Sequence, residues 1–406
     1  MDSTFISSQA PLRPITDVDA ARRSADPVNV VLIPSVSGGL GHVARALKLA
    51  RALERADPTL RFSWVLDELK LRSICVDAVA GTGYPYRILP NAVRHERDET
   101  VRAALGEADV VIEDTCRRLI PHRRILPRLK AWISVPMPPL WDELFLDWPL
   151  LEQVDAILYT YPPIMPPPEE LLPFADKLTA TGPILDEMGM PARADARRRL
   201  GLEPGCRYVL YSPRGFPFGA WFGRRVLNGV VGGFVKLHRE MPDLRLVLLA
   251  VPDPAAVQPR RLPPLAQIPG VTVLGVVPPE VARDYMAAAD LAVVEATTSL
   301  FDAALARTPI VMVPGLIYET WLEGTWVNDA DAGVVMRPEE VTHASMAQSM
   351  RAVLDPVASA IRTAKLAELV GTDGAARAVA AVLCVIEERV RPRPVKRPPG
   401  EANRAA

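Results

Sequence analysis

Short apolar runs rich in valine, isoleucine and leucine alternate with helix-period segments along this chain, and that alternation admits few folds. VNVVLIP (28–34) opens the series as a near-continuous apolar run, the mark of a strand buried on both faces. A glycine-rich turn follows. GHVARALKLARALERA (41–56) then places Val43, Ala46, Leu47, Ala50 and Leu53 at helical spacing. RFSWVLD (61–67), YRIL (86–89), DVVIED (109–114), AWISV (131–135) and DAILYT (155–160) continue the pattern. Strands separated by helices pair in parallel, so this block reads as one doubly wound α/β domain.

The proline-dense YPPIMPPPEELLPF (161–174) interrupts the alternation, and TATGPIL (179–185) reads as a crossing between domains. A second series begins at CRYVLYS (206–212). It continues through LRLVLLAV (244–251), VTVLGVV (271–277), DLAVVEA (290–296), PIVMVP (309–314) and AGVVM (332–336), and ends in the helical DGAARAVAAVLCVIEERV (373–390). The expected architecture is two doubly wound, Rossmann-like domains facing a central cleft, over 28–182 and 183–390. The final helix is assigned to the second domain. Residues 1–27 are polar and aperiodic, lack the apolar stretch of a secretory signal, and read as a disordered leader; the basic, proline-rich 391–406 reads as a disordered tail.

The net charge of −1 offers no field for DNA or an anionic membrane, so no nucleic-acid partner is expected. The four cysteines, Cys75, Cys116, Cys206 and Cys384, form no CxxC pair; free thiols in the cytoplasm fit best.

The turn after the first run, Ser37-Gly38-Gly39-Leu40-Gly41-His42, leads into a helix. Its glycines permit close backbone approach, and a helix N-terminus offers free N–H groups to an anion. A dinucleotide site is one reading, with Asp67 as the acid at the end of the next strand, but the third glycine of GxGxxG is missing. His42 sits at the carboxyl edge of the strand, where ligands bind, and an imidazole of ordinary pKa near ~6.5 accepts a proton near neutrality. The alternative is a packing or capping histidine. His95, His122, His238 and His343 lack such a context and read as surface or packing residues. Glu113 and Asp114 end DVVIED at the same edge, so one of them can orient His42 and the other faces elsewhere.

Gly38-Gly39-Leu40-Gly41-His42 and the following ARALKLARAL resemble the opening of GT-B glycosyltransferases, nearest in style to the family 28 enzyme that adds N-acetylglucosamine to form lipid II. With Arg45 three residues on, the turn also resembles the GxGHxxR opening of certain nucleotide-sugar hydrolases. A second stretch, 271–314, is similar to the donor half of the GT-B transferases. Aligned back from Val313-Pro314, the resemblance puts Asp302 on the ribose hydroxyls, Thr297, Thr298 and Ser299 on the diphosphate loop, and Val277 near the base edge. It further implies Arg214 and Gly215 beside the diphosphate and Glu319 on the donor sugar. Spacing alone equally allows Ser299 as an ordinary helix cap with Asp302 beside it. The chain departs from the family by carrying Glu295-Ala296-Thr297-Thr298 where a glycine is usual, and Arg307-Thr308 before Pro309.

The resemblance implies a nucleotide-sugar-dependent glycosyltransferase, inverting, with His42 as base and Gly38, Gly39 and Gly41 in the anion loop. The acceptor lies on the first domain and the donor on the second. No metal or resident cofactor is implied; the donor nucleotide is UDP, dTDP or GDP. A nucleotide-sugar hydrolase or epimerase and a non-catalytic nucleotide-sugar-binding protein are the alternatives. The basic and aromatic stretch 116–145, with Trp141 and then Trp148, suits a peripheral membrane contact or a phosphorylated acceptor, or, more simply, a solvated acceptor-side loop.

Overall fold

The β-branched runs build two sheets in which every strand pair is parallel. The computed structural model describes residues 27–36, 40–69, 71, 73–91, 96–136, 148–213, 220–249, 262–275, 277–295, 297–315 and 318–391. The first sheet contains β1 (Val28–Pro34), β2 (Leu60–Asp67), β3 (Tyr86–Leu89), β4 (Val110–Asp114), β5 (Ala131–Val135), β6 (Ala156–Tyr159) and β7 (Leu178–Ala180), in the order β3-β2-β1-β4-β5-β6-β7. The second contains β8 (Arg207–Ser212), β9 (Leu244–Leu248), β10 (Val271–Val273), β11 (Leu291–Val294), β12 (Ile310–Met312) and β13 (Val334–Val335), in the order β10-β9-β8-β11-β12-β13. The fold is therefore the expected pair of doubly wound α/β domains. VTVLGVV and LRLVLLAV yield shorter strands than expected, ending at Val273 and Leu248.

Crossovers in the first domain include helices α1 (Gly41–Ala56), α2 (Ser73–Ala80) and α3 (Arg97–Leu105). Helix α4 (Arg193–Arg199) precedes the second sheet, whose crossovers are α5 (Ala220–Glu240), α6 (Pro279–Ala288), α7 (Thr297–Ala306) and α8 (Tyr318–Asp329). The chain ends in α9 (His343–Val353), α10 (Pro356–Val370) and α11 (Gly374–Arg389). Along β1 and β4 alternate residues go to opposite layers, as strand geometry requires. Val30, Leu32, Val110 and Ile112 share a core with Val43, Leu47, Ala50 and Leu53 of α1, whereas Val31, Ile33 and Val111 pack with Val101, Leu105 and Trp132.

Helix α11 corrects one boundary. It packs on the first domain, not the second: Ala378, Val382 and Ile386 join the α1 core, and Arg391 donates to Asp57 (2.8 Å). The crossing back is tight. A Cβ on Gly374 would lie 2.1 Å from the Pro183 carbonyl oxygen, so only glycine lets the two crossings touch. The span Pro356–Arg389 is long and apolar enough to cross a membrane by length and composition, yet it turns at Gly371 (φ 70°). Its Leu366 and Val370 fill the second-domain core, and its later residues fill the first. Leu322 and Trp326 of α8 join Tyr159, Tyr161 and Met165 in a first-domain cluster, so apolar contact also spans the two halves.

Candidate functional site

Each sheet reverses its strand order at one place, between β1 and β4 and between β8 and β11. Open α/β sheets form a ligand crevice at the carboxyl ends of the strands flanking that reversal. In the first crevice, α1 starts at Gly41 with no side-chain cap, so its first N–H groups remain available. His42 occupies its first turn. Asp114 ends β4 on the α1 side of the sheet, the layer that holds Val110 and Ile112. His42 Nδ1 lies 2.8 Å from Asp114 Oδ1. Arg45 Nε donates to Asp114 Oδ2 (2.8 Å), its second nitrogen NH2 to Oδ1 (2.6 Å), and NH1 to Thr160 Oγ1 (3.2 Å). Burial pushes the Asp114 carboxyl up, but the charges of Arg45 and His42 and their hydrogen bonds outweigh it and hold it at about 2. Thr115, next in the chain, has φ 61°, a strained left-handed turn for a β-branched residue.

Of the two acids that end β4, it is Asp114 that meets His42; Glu113 does not, and drops out as a candidate catalytic acid. Strand alternation turns it to the opposite layer. There it is fully buried, takes the Cys116 N–H (2.7 Å) and accepts a hydrogen bond from Ser134. Burial drives its carboxyl up to about 7, against the pull of those donors and the Arg117 charge.

The second crevice is built of hydroxyls and buried carboxylates. Ser212, ending β8, and Ser299, in the first turn of α7, share a hydrogen bond of 2.9 Å. The Thr297 N–H donates to Glu323 Oε2 (3.0 Å), so a carboxylate of α8 occupies one donor of the α7 N-terminus. The Tyr211 hydroxyl donates to Glu295, and the Tyr161 hydroxyl, from the first domain, donates to Glu319 Oε1 (2.9 Å). Glu295, Glu319 and Glu323 are 3%, 4% and 0% exposed. Burial first, then the facing carboxylates, push both tyrosine hydroxyls far up, so they act as proton donors.

The two crevices meet. A Cβ on Gly41 would lie 3.1 Å from Thr298 Oγ1, and Lys48 Nζ donates to Asp302 Oδ1 (2.5 Å). Helices α1 and α7 therefore approach each other at their first turns, where both dipoles favour an anion. Asp186 adds a further tie, accepting from Arg55 (3.1 Å) and from Arg283 of α6 (2.8 Å).

The structure thus brings together His42, Asp114, Gly41, Thr297, Thr298, Ser299, Asp302 and Glu319. Val277 lies in the turn before α6, partly buried against the second-domain core. Gly38, Gly39, Arg214, Gly215 and Trp141 lie outside the described residues, as does the side chain of Trp148. Asp67, the acid of the dinucleotide reading, is buried and ion-paired with Arg118, with Arg97 at 3.7 Å. Lys48, Tyr161 and Glu323 were not singled out by sequence, and Arg45 only as part of a motif; their partners lie far along the chain. Among the described residues no group of three or more His, Cys, Asp or Glu side chains could hold a metal ion.

No protein-family model and no curated protein matches the sequence. Solved structures do match in fold. The calicheamicin glycosyltransferase CalG4 is 18% identical, with 91% of this chain and 100% of that one covered and a TM-score of 0.58. UGT71G1 of Medicago truncatula, solved with UDP-glucose, is 13% identical over 89% of this chain and 98% of that one, with a TM-score of 0.58. A putative UDP-N-acetylglucosamine 2-epimerase from Listeria monocytogenes is 15% identical over 91% and 99%, with a TM-score of 0.62. The likeness is one of architecture: two Rossmann-like domains facing each other, the GT-B arrangement.

Proposed function

We propose that the chain is a glycosyltransferase that moves a sugar from a nucleoside-diphosphate sugar to a hydroxyl or amine acceptor. One observation carries the reading. The helices that leave the two crevices start against each other at Gly41 and Thr298, and His42, paired with Asp114 at the end of β4, sits in the first turn of one of them. That arrangement supports a reading in which an anionic leaving group and a proton acceptor share one place.

In this reading the acceptor lies against the first domain. His42 Nε2 takes the acceptor proton as the acceptor attacks the anomeric carbon from the face opposite the diphosphate, and the bond from that carbon to the diphosphate oxygen breaks with inversion. The N–H groups at the starts of α1 and α7, with Thr298 and Ser299, take up the developing negative charge. Asp302 holds the ribose hydroxyls after exchanging Lys48 for them. Glu319 receives sugar hydroxyls, backbone around Val277 reads the base, and Arg214 and Gly215 complete the diphosphate site. Helix termini and cationic side chains do the work of a metal, so activity survives EDTA. The four free cysteines suit a cytoplasmic location.

A second reading, nucleotide-sugar hydrolysis or epimerisation, is favoured by the carboxylates Glu295, Glu319 and Glu323 around the α7 N-terminus. The test is product analysis with UDP-, dTDP- and GDP-sugars, with and without a panel of acceptors. Transfer predicts nucleoside-diphosphate release that rises with the right acceptor and a new glycoside. Release or isomerised sugar without any acceptor dependence overturns it in favour of the second reading.

A further inference from the structure

We propose that Arg45 is the positioning residue of the His42–Asp114 pair: its guanidinium orients the carboxylate, sets the imidazole with its proton on Nδ1, and ties that arrangement to the seating of the second domain. The proposal rests on the reading of His42 as base. Arg45 meets both oxygens of Asp114, Nε to Oδ2 at 2.8 Å and NH2 to Oδ1 at 2.6 Å, the two-pronged geometry that a lysine cannot reproduce. The carboxylate is held from one side and cannot swing. Its Oδ1 faces His42 Nδ1 at 2.8 Å.

Two contacts meet at Nδ1. A lone pair there would confront the carboxylate oxygen at 2.8 Å, whereas an N–H satisfies it. Arg45 NH2, 3.0 Å from Nδ1, could donate to that lone pair, but it already donates to the nearer Asp114 Oδ1, so the proposal places the proton on Nδ1. Nε2 is left as the acceptor. The His42 and Arg45 side chains are at most 20% exposed, so water does little to loosen these contacts.

Arg45 also faces the other domain, across Tyr161. NH1 donates to Thr160 Oγ1, and the guanidinium is buried in the field of Tyr161 and Glu319 as well as Asp114. Tyr161 belongs to the first domain and Glu319 to α8 of the second, and they are hydrogen-bonded to each other. The groups that face the His42–Arg45 unit are thus Asp114 from β4, Thr160 and Tyr161 after β6, and Glu319 from α8. Only with the second domain seated is the Arg45 charge balanced from both sides.

The experiment uses the full chain and two variants: Arg45→Met, which keeps an unbranched apolar stem and loses the charge, and Arg45→Lys, which keeps charge and loses the two-pronged contact. The first readout is nitrogen–proton NMR of the His42 ring without substrate. The wild type shows the Nδ1–H tautomer at neutral pH. Arg45→Met and Arg45→Lys both mix tautomers, because neither side chain holds the Asp114 carboxylate by both oxygens. The second readout is UDP release from UDP-glucose against pH. Arg45→Met lowers kcat at least tenfold at neutral pH, with KM within threefold. An identical His42 ring in all three proteins overturns the proposal. A rise in KM with kcat unchanged also overturns it, because Arg45 would then be a donor contact. If the wild type turns over no nucleotide sugar, the functional reading fails while the NMR readout still decides the role of Arg45.

Discussion

The two crevices share a strand order and differ in what fills them. The first, between β1 and β4, concentrates an imidazole, a guanidinium and a carboxylate in direct contact. The second, between β8 and β11, holds paired hydroxyls and three buried glutamates, and the cations seen against its acceptors, Lys48 on Asp302 and Arg45 near Glu319, come from the first domain. In the proposed reading, one topology therefore supplies two unlike half-sites: proton chemistry with positive charge on one side, helix N–H groups and acceptors on the other. Neither is complete until the domains are docked.

The largest effect that comparison predicts is confined to the first half-site. His42→Ala should cut turnover by ~10²–10⁴-fold, the usual contribution of a positioned general base, and leave nucleoside-diphosphate affinity nearly unchanged. Asp114→Asn should follow it in direction. Near wild-type turnover of either variant in an acceptor-dependent assay would dissolve the division of labour, and equal losses of turnover and binding would make the glycine turn a structural element serving both halves.

How much of this is legible in the sequence depends on whether a residue's environment is local. VNVVLIP reads as a buried strand because parallel sheets cover both faces of such a run, and the apolar period of 41–56 marks the covered face of α1. His42 is legible as the residue at a strand-to-helix turn. The choice between Glu113 and Asp114 is not, because it depends on which face of β4 lies under α1. Nor are Lys48, Tyr161 and Glu323, whose partners Asp302, Glu319 and Thr297 come together only when the domains or helices dock. The glycine-poor donor loop has a physical account of the same kind, since Glu323 satisfies the Thr297 N–H from another helix. The final helix is readable as amphipathic, but nothing local says which sheet it covers.

The buried carboxylate behind the first crevice offers a contrast in pH. The Glu113 carboxyl is raised from the ordinary 4.5 to about 7, so its stabilising contribution is full below the ordinary value and is lost as pH rises through about 7. Glu113→Gln should remove that slope: the stability of the wild type relative to the variant falls by roughly 2–3 kcal/mol between pH 4.5 and 8. Asp114, held low, acts with the opposite sign and in a separate window, its contribution disappearing only as pH falls from about 4 to about 2. Urea unfolding at pH 5 and pH 8 measures the difference; a constant difference would mean that Glu113 is ionised throughout, paired with Arg117.

In the second half-site the key substitution is Asp302→Ala. Losing a charged acceptor for two ribose hydroxyls should weaken nucleoside-diphosphate binding by ~1.5–3 kcal/mol. Lys48→Met is its counterpart from the first domain and should weaken the diphosphate while sparing the free nucleoside. Calorimetry with UDP and uridine separates the two. Unchanged affinities in Asp302→Ala would leave the Lys48 pair as a strap between domains and nothing more.

The smallest expected effect tests the contact where the halves meet. An added methyl group at Gly41 would sit 3.1 Å from Thr298 Oγ1, a few tenths of an ångström too close for comfort. Alanine is the better helix former by ~1 kcal/mol in a helix interior, less at a first position, so Gly41→Ala should change stability by under ~1 kcal/mol in either direction. The strain is relieved by separating α1 from α7, which lengthens the Lys48–Asp302 contact and misaligns His42 with whatever lies on the α7 side. A two- to tenfold loss in kcat/KM with an unchanged melting temperature is the expected pattern. Thr298→Ala removes the clash at the cost of its own hydroxyl, so in that background Gly41→Ala should cause no further loss, and the pair behaves non-additively in a double-mutant cycle. Additive effects, or a fully active Gly41→Ala, would mean that the two helices work at a wider spacing than the one seen here, and that the meeting of the half-sites belongs to a resting state of the cleft.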